Sequence, residues 1–109
     1  MASEVLKLAT FRGDASSVQA LLTVGAGKTA TVLSVTICET AGAAETFNLL
    51  IDDGGGGSDT YIYHTQAIGA NETFEHTGKF VMNATDHLSI ITGDTSDIDV
   101  CVSYLEQTL

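Results

Sequence analysis

The sequence predicts an all-β fold: an antiparallel β-sandwich, jelly-roll-like, with about eight strands. Short stretches in which apolar and small polar residues alternate recur roughly every eight to twelve residues, separated by turn signals. No segment has the spacing of apolar residues that is typical of an amphipathic helix. The chain has no proline or tryptophan, and its many valine, isoleucine and threonine residues favour strands.

The first fourteen residues differ from the rest of the chain. Residues 1–14 are interpreted as an N-terminal arm or edge strand, and residues 15–109 as a single β-sandwich domain. The apolar residues of the arm would pack against a neighbouring protein, and its two basic residues would enter an acidic groove. The residues expected to make these contacts are Val5, Leu6, Lys7, Leu8, Phe11 and Arg12.

The longest alternation lies in residues 25–40 and predicts the central strand. One face carries Thr31, Leu33, Val35 and Ile37, and the other carries Val32, Ser34, Thr36 and Cys38. We expect the face with Leu33, Val35 and Ile37 to point into the core. Ser34 and Thr36 would then meet a neighbouring strand, loop or subunit.

The same stretch contains Gly27-Lys28-Thr29, which resembles the end of a phosphate-binding loop. That motif needs a glycine five residues before Gly27, where this chain has Leu22. It also needs a helix after the threonine, whose N-terminal N–H groups hold the phosphate, and a strand pattern follows instead. The sequence therefore predicts a glycine turn between strands and no nucleotide site.

The remaining strands follow from shorter alternations between glycine-rich or Asn/Asp-rich turns. Residues 72–82 are interrupted at Thr77-Gly78, which indicates two short strands or one kinked strand. Residues 52–59 form an acidic, glycine-rich loop that should be exposed. The other predicted strands are residues 20–24, 45–52, 59–68, 87–92 and 97–106, the last with Ile98, Val100, Val102 and Tyr104 facing inward.

The charge of the chain limits its partners. Fourteen acidic residues against four basic ones give a formal net charge of −10, which repels phosphate backbones and anionic lipid surfaces. We therefore expect no nucleic-acid partner and no membrane partner. The N-terminus lacks the basic start and apolar centre of a signal peptide, so synthesis in a cytoplasm without export by the usual signal is expected.

The residues that could carry chemistry are scattered. His64, His76 and His87 lie in separate strands or turns without the paired histidines of a cupin metal site. The acidic loop lacks the ligand spacing of a calcium loop, and no nucleophile motif is present. Cys38 and Cys101 are expected to be free thiols. We expect no enzyme activity, no metal and no cofactor.

From about Leu22 onward the chain resembles small virion proteins of tailed bacteriophages. The resemblance is carried by LTVGAGKTATVLSVTICETAGAAETFNLLID, IGANETFEHTGKFVMNATDHLSI and DIDVCVSYLEQ. Two positions depart from the pattern, because Gly25 replaces a usual proline and Glu39 a usual asparagine. The resemblance implies a jelly-roll capsid decoration (cement) protein that forms a homotrimer, or a neck or tail structural component.

The sequence thus favours a non-catalytic protein of the virion that binds the outer capsid surface and stabilises the head. Its partners would be the major capsid protein and further copies of itself. The alternatives are a phage neck, tail or baseplate protein, and a carbohydrate- or receptor-binding β-sandwich. In the last case Tyr61, Tyr63 and the glycine-rich loop would form an exposed site.

Overall fold

A computed structural model describes residues 3–52, 59–93 and 97–108, and these form an all-β sandwich. Nine strands run through this described part of the chain. They are β1 (Ser3–Asp14), β2 (Gln19–Thr23), β3 (Lys28–Glu39), β4 (Glu45–Asp52), β5 (Asp59–Ile68), β6 (Thr73–His76), β7 (Phe80–Met82), β8 (His87–Thr92) and β9 (Asp97–Thr108). The glycine-rich loop predicted at residues 52–59 lies almost wholly outside the described residues.

The strands form two antiparallel sheets that pack face to face. One sheet has the order β1-β9-β3-β6, with β7 also paired to β3, and the other has the order β2-β8-β4-β5. Since β6 and β7 pair with successive parts of β3, they are two halves of one interrupted strand. Most consecutive strands along the chain alternate between the two sheets, as in a jelly roll. The predicted fold class and the interruption within residues 72–82 are both confirmed.

The core lies between the sheets and is built from their inward-facing apolar residues. Val35 and Ile37 of β3 and Phe47 and Leu49 of β4 belong to this core, and all four side chains are fully buried. Burying an aliphatic or aromatic side chain of this size contributes roughly 1.5–3 kcal/mol. The inward alternation predicted for the last strand is confirmed, because Ile98, Val100, Val102 and Tyr104 are buried.

The alternation of β3 reverses within the strand. Its pairing with β9 shifts register between Val32 and Ser34, so that Leu33 is the extra residue of a β-bulge. A bulge turns every following side chain to the other face. Val32 is consequently fully buried, and Leu33 points outward and is half-buried. The prediction that Leu33 faces the core and Val32 faces outward was wrong, whereas the inward positions of Val35 and Ile37 are confirmed.

Strand β1 pairs with β9 along its whole length. The register is continuous from Ser3 opposite Thr108 to Asp14 opposite Asp97. Ala9 and Phe11 point inward and pack against the core. The segment interpreted as an arm or edge strand therefore forms the edge of the five-stranded sheet, and Phe11 belongs to the margin of the core.

One buried carboxylate fastens the loop after β3 to the turn before β6. Glu39 is 1% exposed. Its oxygens accept hydrogen bonds from the backbone N–H groups of Ala41 (3.0 Å), Gly42 (2.8 Å), Ala43 (3.2 Å) and Asn71 (3.2 Å). Burial raises the pKa of Glu39, but these four N–H groups lower it by more, so that the pKa lies below its ordinary value of 4.5. The carboxylate therefore acts as a charged anchor for two loops.

Candidate functional site

An apolar surface covers one end of the outer face of the five-stranded sheet. Residues that oppose each other across antiparallel strands share a face, and the register aligns Leu6 of β1, Leu105 of β9, Thr31 of β3 and Val81 of β7 in one row. Leu8 and the bulge residue Leu33 lie beside this row and line a shallow groove with Ser103. We call Leu6, Leu8, Leu33, Leu105 and Val81 the leucine face.

The leucine face is unusually exposed for its composition. The exposed fractions are 72% for Leu6, 61% for Leu8 and 63% for Val81. A single exposed leucine is common on any protein surface, whereas a contiguous apolar patch indicates an interaction site. In a chain with a net charge of −10, this patch is the surface best suited to burial against another protein.

The predicted contact residues divide between the two faces of the sheet. The outer face carries Leu6, Leu8 and Arg12 of β1 together with Ser34 and Thr36 of β3. The inner face carries Val5, Lys7 and Phe11, because side chains alternate along a strand. The structure therefore brings five of the eight predicted residues to one surface.

Three residues of the leucine face were missed from the sequence. Leu105 could have been found, because the alternation of the last strand already places it on the face opposite Tyr104. Leu33 could not, because its outward position depends on the bulge. Val81 lies in a strand of three residues, which is too short for the alternation of apolar and polar residues to predict which face it occupies.

A charged cluster lies behind the leucine face, on the inner side of the same strands. Glu106 pairs with Lys7 at 3.0 Å and with Lys28 at 3.4 Å. The hydrogen bond from Lys7 is the main reason that the pKa of Glu106 is lowered, and the same bond raises the pKa of Lys7. Lys7 therefore borders the shallow groove that Leu6, Leu8 and Leu33 line, with its ammonium group paired to Glu106.

The two cysteines also lie on the outer face, away from the leucine face. Cys101 opposes Thr36 of β3, and Cys38 opposes Asp99 of β9, so that the thiols are diagonal neighbours on adjacent strands. Both are free, with Cys101 exposed and Cys38 half-buried. Free thiols agree with the prediction from the sequence.

An aromatic cluster closes the opposite edge of the sandwich. The Phe74 ring packs edge-on against Phe47 and Tyr63, at centroid distances of 5.2 and 4.9 Å. The Tyr63 hydroxyl lies 2.8 Å from Nδ1 of His76, whose Nε2 lies 2.6 Å from the carbonyl oxygen of Gly78. Because a carbonyl only accepts, Nε2 donates to Gly78, and in the neutral imidazole Nδ1 then accepts the hydroxyl proton of Tyr63.

The other candidate groups do not converge. Tyr61 opposes Leu50 and Tyr63 opposes Leu49, so the two tyrosines point to opposite faces of β5 and do not share an exposed site. Among residues 3–52, 59–93 and 97–108, no three histidine, cysteine or acidic side chains are placed to hold a metal ion. No helix in this part of the chain is long and apolar enough to cross a membrane.

The fold is similar to those of viral capsid proteins and of a pilus subunit. No protein-family model and no curated protein matches the sequence. A chain of the acid-stable capsid of Helicobacter pylori bacteriophage KHP30 matches with a TM-score of 0.62 and 13% identity, over 96% of this chain and 93% of that one. A chain of the Bacillus endospore appendages, a family of disulfide-linked pili, matches with a TM-score of 0.61 and 12% identity, over 100% and 91%.

A chain of the cyanophage Pam1 capsid gives a TM-score of 0.53 and 17% identity, over 99% of this chain and 86% of that one. At these identities the similarity shows a shared fold. In all three cases it extends over nearly the full length of both chains. The jelly roll is thus nearly the whole of each of these neighbours, as it is of this chain.

Proposed function

We propose that this protein is a non-catalytic structural subunit of a bacteriophage virion that decorates the outer surface of the capsid. The observation that carries the proposal is the leucine face, an exposed apolar surface on a small jelly roll that is otherwise acidic. The similarity to two phage capsid chains over most of their lengths supports a place in the virion. The major capsid protein is the proposed partner, reached after synthesis in the host cytoplasm.

Docking through the leucine face requires only that its apolar surface be buried against the partner protein. Leu6 is 72% exposed and Leu8 is 61% exposed, so covering the exposed part of each would contribute about 1–2 kcal/mol. Together these two residues would account for a difference of roughly thirtyfold to a thousandfold in the dissociation constant. The acidic residues elsewhere would face the solvent and keep decorated particles apart.

A second candidate is a repeating subunit of a filament, which the similarity to the endospore pilus chain favours. A neck, tail or baseplate position remains the alternative within the virion. The homotrimer implied by the sequence resemblance is not part of this proposal.

The location of the protein in assembled particles tests the proposal. Antibodies raised against the purified protein are applied to intact particles from a lysate of the phage or organism that encodes it, followed by gold labelling and electron microscopy. Labelling over the whole head is the expected result. Labelling confined to the neck or tail, or to filaments, would replace decoration with one of the alternatives.

The docking surface is tested by substitution. The Leu6→Ser/Leu8→Ser variant should bind undecorated particles at least tenfold more weakly than the natural protein. Val18→Ser is the matched control, because Val18 is 55% exposed but lies in the turn between β1 and β2. Equal binding by both variants would remove the leucine face from the mechanism.

A further inference from the structure

Strand β1 leaves its outer edge unpaired. Within residues 3–52, 59–93 and 97–108, β1 pairs only with β9, so that the backbone N–H and C=O groups of its other edge have no strand partner. Such an edge can pair with a strand of another chain. Natural proteins usually protect edges with short strands, bulges, prolines or lysines.

The other three edges of the sandwich carry such protection. Strand β2 has five residues and a register shift, and β5 has two register shifts. The remaining edge is divided between the short strands β6 and β7. By contrast, β1 has twelve residues in unbroken register, and its lysine is held at Glu106. Among the edges that the structure describes, β1 alone is both long and in unbroken register.

The sequence of β1 is complementary to itself. When two copies pair antiparallel with Leu8 opposite Leu8, each Glu4 lies opposite the Arg12 of the other copy, and each Val5 lies opposite a Phe11. Shifting the register by two residues in one direction places Lys7 opposite Lys7, and in the other direction it places Glu4 opposite Asp14. Only the register centred on Leu8 pairs opposite charges and avoids both like-charge contacts.

The charges at the two ends of β1 are available for this pairing. Arg12 is exposed and makes no ion pair within the described part of the chain. Glu4 accepts one hydrogen bond, from Gln107 at 2.9 Å, and its other oxygen remains for an arginine. Eight residues separate them along an extended strand, a distance of about 26 Å, so they cannot meet within one chain.

We propose that two copies of this protein associate through antiparallel pairing of their β1 strands, with a two-fold axis at Leu8. The two five-stranded sheets then form one continuous sheet across the axis. Two Glu4–Arg12 ion pairs, one at each end of the paired strands, fix the register. This inference rests on the free edge and its self-complementarity, and it does not depend on the proposed place in the virion.

A charge swap tests the register in solution. The natural protein is expected to have a mass of twice 11.3 kDa by light scattering and sedimentation equilibrium. Because the interface contains two Glu4–Arg12 pairs, either Glu4→Arg or Arg12→Glu alone converts both into like-charge pairs. Each single variant should raise the dissociation constant about tenfold or more. The double variant restores both pairs with reversed sign and should regain dimerisation. Glu75→Arg and Lys79→Glu, at exposed positions away from β1, are charge-matched controls that should leave it unchanged.

Cross-linking provides a second measurement that does not rely on charge. With Cys38→Ser and Cys101→Ser in place, a Leu8→Cys variant brings two thiols together at the axis, where opposed Cβ atoms lie about 4.5–5.5 Å apart. Oxidised glutathione takes up the two electrons and two protons as the thiols form a disulfide, which yields a covalent dimer. Thr10→Cys, on the same face, would lie opposite Leu6 and should remain uncross-linked.

Each outcome is decisive. A mass of one or three chains overturns the dimer, and a dimer that both single reversals leave intact overturns the β1 interface. Failure of the double variant to recover, with circular dichroism showing a folded protein, overturns the register. Cross-linking through Lys7→Cys or Ala9→Cys in place of Leu8→Cys would do the same, because those residues meet themselves in the two shifted registers.

Discussion

Threonine substitutions at three positions of β3 give a sharp test of the bulge. Val32 and Val35 are both fully buried, whereas Leu33 between them is half-buried and faces outward. Threonine has nearly the shape of valine, so Val32→Thr and Val35→Thr bury a hydroxyl group without opening a cavity. Burying a hydroxyl without a hydrogen-bond partner costs about 1–3 kcal/mol. Leu33→Thr removes apolar surface that is already partly in water and should cost about 1 kcal/mol or less.

Urea denaturation measures the three free energies of unfolding directly, and thermal melts should agree. A loss of 1 kcal/mol corresponds to roughly 4–8 °C in Tm for a domain of about this size. The bulge predicts large losses at positions 32 and 35 and a small one at 33. Strict alternation through the strand predicts a small loss at 32 and a large one at 33. A Leu33→Thr variant less stable than Val32→Thr would contradict the bulge and the outward position of Leu33.

Two further predictions concern polar groups that join separate elements. Glu39→Gln should lower the Tm at neutral pH, because it removes the charge to which four backbone N–H groups donate. Since the pKa of Glu39 is lowered by folding, this stabilisation is present above the unfolded pKa and is lost as the pH falls through the folded value. The difference in Tm between the natural protein and the variant should therefore shrink in melts taken below pH 4.5. Tyr63→Phe should cost about 1 kcal/mol in urea denaturation, because it leaves Nδ1 of His76 without its donor. Tyr61→Phe, with a half-exposed ring, is the control and should change the stability little.

Most strands could be located from the sequence because turn residues bound them closely. The predicted ranges 45–52, 59–68 and 87–92 coincide with β4, β5 and β8. In these segments a glycine-rich, small-residue or Asn/Asp-rich stretch of sequence ends each alternation, so local information suffices. The bulge in β3 carries no such signal, because its extra residue is a leucine flanked by an ordinary alternation. Its position follows from pairing with β9, more than sixty residues away along the chain.

The candidate surface was only partly predictable for the same reason. Whether β1 is an arm or a strand of the sandwich depends on its pairing with β9 at the other end of the chain. Once that pairing is known, alternation separates Leu6 and Leu8 from Val5 and Lys7 without further information. The leucine face then needs two additional facts, the bulge that turns Leu33 outward and the pairing that brings Val81 beside Thr31.

A two-fold axis at Leu8 would connect dimerisation to docking. In an antiparallel pair of identical strands the axis is perpendicular to the sheet, so both copies present their outer faces on the same side. The leucine faces of the two copies would then adjoin at Leu8 and double the apolar area available to a capsid.

Because a second contact on the same particle is effectively intramolecular, the dimer would bind more tightly than either copy alone. A Glu4→Arg variant should consequently lose particle binding although its leucine face is intact, and the charge-swapped double variant should recover it. Recovery of dimerisation without recovery of binding would separate the β1 interface from the docking surface.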